Sequence, residues 1–226
     1  MAYHIGCAGR ADEMLTINEI FYSIQGESSF AGQPCVFVRL TGCDLRCSWC
    51  DTTYAFEQGL RQSVEDVTAA VEQYNCSLVE ISGGEPLLQI DVYSLMEHLL
   101  ASSKTVLLET GGHIDISRVP EQVVKVIDVK CPGSGEVKRN EWGNLKRLAP
   151  HDEVKFVIRD RTDYEFAREV VRHHKLARRR PKGLFSPVHG VLEAAQLAAW
   201  VLEDRLPVRV QIQLHKYLWG DDTRGV

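Results

Sequence analysis

The chain has 226 residues, 44% of them hydrophobic, enough for one sizeable core but short for two full domains. Its net charge of -5 gives no global attraction to nucleic acid or an anionic membrane, so an anionic ligand must be held locally. Seven cysteines, odd in number and unevenly spaced, argue against a disulfide framework, and no apolar stretch approaches the roughly 20 residues that span a bilayer. A cytoplasmic protein with no membrane partner is the expectation.

Residues 1–13 show no clear periodicity and read as a loose N-terminal arm ahead of a single domain over 14–226. A strand pattern begins at Met14, and further strands are predicted over 36–40, 78–82, 105–109, 123–129, 154–158 and 208–214. Amphipathic helices are predicted over 63–74, 90–102, 162–174 and 192–203, the first with Ser63 as N-cap and Asp66 three residues on. About six mostly parallel strands with connecting helices fit an α/β fold of the open, partial (β/α) TIM-like barrel type. Ligands of such sheets gather at the carboxyl ends of the strands.

The motifs fall at those ends. After the first barrel strand come Cys43, Cys47 and Cys50, at Cys-x3-Cys-x2-Cys spacing. Three thiols in eight residues can hold three irons of a 4Fe-4S cluster and leave the fourth open, or form half of a zinc site completed by a distant Cys or His. After the second strand comes Ser82-Gly-Gly-Glu-Pro86, whose glycines let the backbone approach a ligand closely. Together the two motifs resemble the radical S-adenosylmethionine enzymes. That resemblance implies a 4Fe-4S cluster on the three cysteines, with S-adenosylmethionine on the open iron.

The run Asn18 to Glu27, then Gly32, Phe37 to Cys43, Trp49-Cys50-Asp51-Thr52 and the ending His215-Lys-Tyr217 are similar to the 7-carboxy-7-deazaguanine synthase family, in order and over residues 16–217. The resemblance implies a radical ring contraction of 6-carboxy-5,6,7,8-tetrahydropterin to 7-carboxy-7-deazaguanine with loss of ammonia, in queuosine biosynthesis. It places Trp49, Asp51, Gly84, Glu85, Asp128, Val129 and Lys130 around S-adenosylmethionine, and Ile24, Gln25, Gly26, Arg39 and Ser82 on the pterin. It gives Thr52 a magnesium ion, a flavodoxin- or ferredoxin-type protein as reductant, and a homodimer as assembly. The residue types suit these roles: Arg39 can fork onto the substrate carboxylate, Gln25 can pair with ring edges, and a hydroxyl oxygen suits a hard cation. One departure is visible, because Asp128-Val129-Lys130 stands where many members carry Ser-Pro-Lys.

Three residues are added on chemistry alone. The pterin's guanidine-like edge offers paired N–H donors, which a carboxylate accepts, and Glu27 and Glu109 are candidates. Glu109 can equally cap the following Gly-Gly turn. His215, at the end of the last predicted strand, can reach the substrate as a neutral imidazole. The basic run Arg178-Arg-Arg180 with Lys182 ends a predicted helix and lacks interleaved aromatics, so no nucleic-acid partner is expected. Cys7, Cys35, Cys76 and Cys131 read as free thiols. Two other readings stay open: a radical activase that installs a glycyl radical on a protein partner, and a non-catalytic iron-sulfur or zinc protein.

Overall fold

The computed structural model describes residues 13–176, 183–220 and 223–226. Its strands are β1 (Met14–Ile24), β2 (Pro34–Leu40), β3 (Leu60–Ser63), β4 (Leu78–Gly83), β5 (Thr105–Thr110), β6 (Val124–Asp128), β7 (Glu153–Ile158), β8 (Leu184–Pro187) and β9 (Arg209–Val210). The helices are α1 (Val64–Glu72), α2 (Val92–Ala101), α3 (Asn144–Arg147), α4 (Arg161–His173), α5 (Ala194–Glu203) and α6 (Leu214–Trp219). The described strands make one sheet in the order β3-β1-β2-β4-β5-β6-β7-β8-β9. From β2 to β9 neighbours run parallel, and β1 lies antiparallel to both β2 and β3. The partial barrel expected from the sequence is therefore present, with more strands than anticipated.

The apolar pattern explains the elements. In α1, Val64, Val67 and Val71 recur at helical spacing and are buried, and the Asp66 amide donates to Ser63 Oγ at 3.0 Å as the sequence predicted. In α4, Asp160 caps the helix, and Tyr164, Ala167, Val170 and Val171 supply the buried face. In the barrel strands, Val79 and Ile81 of β4 and Val154 and Phe156 of β7 belong to the apolar core. Their alternates, Glu80 and Ser82, Lys155 and Val157, line a cavity inside the barrel. The period-2 alternation of a strand thus sorts core from site.

The C-terminal third departs from expectation. β8 was not foreseen, being a four-residue strand with all residues buried and no alternation to mark it. The strand predicted over 208–214 shrinks to Arg209–Val210, and Leu214 instead opens α6. At the open edge β9 pairs only with β8, which leaves little to hold a longer strand. Residues 1–12, the basic run over 178–182 and Cys7 lie outside the described residues. Among the described residues, no helix is long and apolar enough to cross a membrane.

Candidate active site

The loops after β2, β4, β5 and β6 converge on one cavity of about 860 Å³, the size of a small-molecule site. Every residue proposed from the sequence to hold cluster, magnesium, cofactor or substrate lines it except Val129. Val129 is buried in the apolar core and meets the barrel through its backbone, its N–H donating to Lys155 O at 2.9 Å. Val129 thus sits behind the cavity wall, between Asp128 and Lys130, which line it.

Cys43, Cys47 and Cys50 share one wall of the cavity. Their loop is laced to the loops after β5 and β6. Asp44 accepts from His113 Nε2 at 2.6 Å and from Arg139 at 2.5 Å, the Arg46 amide donates to Glu136 at 2.6 Å, and Ser48 Oγ donates to Gly133 O at 2.8 Å. Burial pushes all three thiols above the ordinary cysteine range, so binding iron must displace their protons. Lys130, charged despite burial because Asp128 and Cys47 face it, eases that step. Among the described residues no group of three His, Cys, Asp or Glu side chains is gathered closely enough to hold a single ion, as a zinc site would require. Three thiols lining one cavity beside the Lys130 ammonium are of the right type and number to hold three irons of a cluster. Of the other described cysteines, Cys35, Cys76 and Cys131 are free and do not line the cavity, and burial pushes Cys35 and Cys131 far up.

The Gly83-Gly84 loop packs directly on the cysteine loop. The Gly84 amide donates to Leu40 O at 3.1 Å and the Glu85 amide to Gly42 O at 2.7 Å. Gly83 has a φ of 142°, which side chains avoid, and a Cβ on Gly84 would stand 2.1 Å from Gly42 O. The carboxylate of Glu85 points inward, accepting from Thr110 Oγ1 at 2.8 Å, the Gly111 amide at 2.8 Å and the Leu87 amide at 3.1 Å. It is Glu85, and not Glu109, that caps the turn after β5. Any contribution of this loop to a ligand comes from its backbone.

On the opposite side, the segment after β1 carries Ile24, Gln25, Gly26 and Glu27. It is pinned by Ser29, whose N–H donates to the buried Glu153 at 3.0 Å. Gln25 is turned inward, its amide donating to Glu80 and accepting from the Glu27 amide at 3.0 Å, so its side chain braces this segment instead of offering itself to a ring edge. Lys155 donates to both Glu27 and Glu109. Arg39 gives its Nε to Glu19 at 2.7 Å, and Tyr54 donates to the same oxygen at 3.0 Å, which leaves the terminal nitrogens of Arg39 toward the cavity. Ser82 lines the cavity beside them. His215 lies in α6 and not on a strand. It packs so closely on Gly26 that a Cβ there would meet its Nδ1 at 2.1 Å. Burial holds its pKa below the ordinary histidine value and favours the neutral ring.

Near the cysteines, Thr52 donates to Asp51 at 2.9 Å, and Trp49 lines the same wall. The walls around Asp51 disfavour its charge, but Lys216 at 2.9 Å outweighs them and holds it well below the usual carboxylate range. Sequence reasoning missed Glu80, Lys155, Val188, His189, Gln213, Lys216 and Arg224, all of which line the cavity. Arg224 stacks 3.9 Å from the Tyr54 ring centroid.

Glu80 yields a stability prediction. Burial above all, then the charge of Glu109, pushes its carboxyl well above 4.5, so the folded protein keeps a proton there that the unfolded chain releases. Stability then falls as pH rises above that ordinary value, by up to about 1.4 kcal/mol per unit until the folded group itself titrates. Glu80→Gln, a mimic of the protonated form, should flatten this decline and unfold at a higher temperature than the parent at pH 8. Melting curves from pH 5 to 8 check it, and parallel curves for both proteins would refute it.

Comparison with known proteins agrees with this geometry. The Radical SAM superfamily profile matches residues 37–131. A 7-carboxy-7-deazaguanine synthase of Koribacter versatilis (strain Ellin345) is 48% identical, covering 94% of this chain and 100% of that protein. Another, from Chlorobaculum tepidum, is 46% identical over 94% of this chain and 97% of its own. The crystal structure of QueE from Escherichia coli shares the fold, with a TM-score of 0.73 at 23% identity, covering 90% of this chain and 96% of that one. With near-complete overlap at nearly half identity, the chain belongs to the 7-carboxy-7-deazaguanine synthase family of radical S-adenosylmethionine enzymes.

Proposed function

We propose that this protein converts 6-carboxy-5,6,7,8-tetrahydropterin to 7-carboxy-7-deazaguanine with loss of ammonia, using a 4Fe-4S cluster, S-adenosylmethionine and magnesium. The observation that carries the reading is that a cysteine wall and a wall of pterin-complementary groups face one cavity. Cys43, Cys47 and Cys50 would hold the cluster, and the backbone of Gly84 with Lys130 and Asp128 would hold S-adenosylmethionine. When bound, these groups would supply radical chemistry able to remove a hydrogen from the substrate. The chain's own task is positioning. Arg39 presents its terminal nitrogens to the substrate carboxylate, Glu109 faces the pyrimidine edge, and neutral His215 closes the end near Gly26.

The activase reading lacks support in the geometry, since a cavity lined by the segment after β1 and by the C-terminal segment from Gln213 suits a small molecule. Electrons come from a flavodoxin- or ferredoxin-type protein, the assembly is a homodimer, and the compartment is the cytoplasm. Anaerobic reconstitution with reductant, S-adenosylmethionine and the carboxypterin should give the deazaguanine acid by mass. Cofactor cleavage with no such product would reject the substrate.

Thr52 and Asp51 place two oxygen donors at the join between the walls, which suits a magnesium ion that takes few protein ligands and completes its shell with substrate oxygens. Thr52→Ala should therefore keep the cluster and uncoupled cofactor cleavage while losing magnesium stimulation of product formation. Titrating magnesium into chelator-treated protein checks this, and a normal response from the variant would exclude Thr52 as ligand.

A further inference from the structure

Lys155 is the charged group most enclosed by the cavity's acids. Its side chain is 7% exposed, and its ammonium donates to Glu27 Oε2 and Glu109 Oε1 at once. The second oxygen of Glu27 accepts from Gln213 at 2.8 Å, so both oxygens of that carboxylate are engaged. Glu109 differs. Its side chain is 27% exposed, and among the described residues its Oε2 has no hydrogen-bond partner. Two carboxylates against one ammonium leave an excess negative charge, and the free oxygen of Glu109 is where it meets the cavity.

We propose that Lys155 is a positioning residue that makes the cavity select a 2-amino ring over a 2-oxo ring. Held by Glu27, the ammonium fixes one oxygen of Glu109 and so sets the direction of the other. A ring bearing a 2-amino group offers that oxygen an N–H donor. A 2-oxo ring of the same shape turns a carbonyl oxygen toward it and leaves two acceptors facing each other. This inference rests on the pterin reading of the site and adds the residue that enforces its pyrimidine edge. It also moves Glu27 from substrate receptor to anchor.

The test uses the enzyme loaded with cluster and S-adenosylmethionine but left unreduced, so that it binds without turning over. Anaerobic calorimetry would compare the 6-carboxytetrahydropterin with its 2-oxo analogue. The parent protein should prefer the amino ligand by about 100-fold or more, the scale of a site built around one donor. Lys155→Met should reduce that preference to under about tenfold, chiefly by weakening the amino ligand. A melting curve shows whether the variant is folded. If the lone substitution leaves the two carboxylates too repulsive to fold, Lys155→Met combined with Glu27→Gln carries the same measurement. A folded variant that keeps the parent's preference overturns the proposal. A parent protein that binds the carboxypterin without preferring it overturns the proposal alone, and one that binds neither pterin overturns the substrate reading beneath it as well.

Discussion

Replacing Cys47 with alanine should abolish the visible absorbance of the reconstituted cluster and the reductive cleavage of S-adenosylmethionine together, and Cys43→Ala and Cys50→Ala should do the same. On the proposed assignment each of the three thiols would ligate one iron, so removing one would leave a cluster with two protein ligands. The remaining cysteines provide the contrast. Cys76 and Cys131 are buried away from the cavity, with Sγ against backbone carbonyls, so their conversion to serine should cost some stability and leave absorbance and cleavage in place. Iron and sulfide analysis beside the absorbance spectrum checks the series. Cofactor cleavage at the parent rate in Cys47→Ala would remove the cluster from the cavity wall.

The second large effect is expected at Gly84. Its φ is ordinary, so the constraint is contact: an added Cβ would stand 2.1 Å from Gly42 O and 2.9 Å from the Cβ of Cys43. Both neighbours belong to the cysteine loop, and neither is the flexible end of a side chain. Gly84→Ala must therefore push two loops apart, costing about 1–3 kcal/mol as overpacking does. The functional loss should be larger. A displacement of about 1 Å between cofactor and substrate can cost 10²-fold, and this loop joins the cluster's support to the cofactor's. Affinity for S-adenosylmethionine should fall by about that factor, with a melting point several degrees lower. Gly183→Ala is the control, because a Cβ there meets nothing nearer than 3.6 Å. Equal behaviour of the two variants would show that the close packing of these loops has no bearing on cofactor binding.

The parts of this site that could be read from the sequence are the local ones. The cysteine spacing, the Gly-Gly-Glu-Pro loop and the Ile24 to Glu27 segment each lie within a few residues, so their chemistry shows in the order of letters. Glu80 and Lys155 are different. Glu80 is the one charge in its strand and Lys155 follows Glu153 by two residues in another, patterns that normally mark solvent-facing positions. Only the curvature of the sheet turns those positions inward, where each charge meets partners 46 to 128 residues away, as Lys155 does. Gln25 and Glu27 line the cavity, and their bonds to Glu80 and Lys155 were hidden for the same reason. Their side chains answer to groups on other strands. The C-terminal elements were hardest, since β8 is short and uniformly buried and α6 begins inside an apolar run that reads as strand.

The alternation along β4 and β7 also bears on how such a protein can change over generations. One set of side chains, including Val79, Ile81, Val154 and Phe156, holds the structure together, while the interleaved set chooses the ligand. A substitution at 82 or 157 alters the cavity wall without loosening what the helices pack against, whereas one at 80 or 155 also disturbs a buried charge and its partners. Selection can then explore new ligands at 82 and 157 at little risk to folding, and a library confined to those two positions should yield mostly folded proteins of divergent taste.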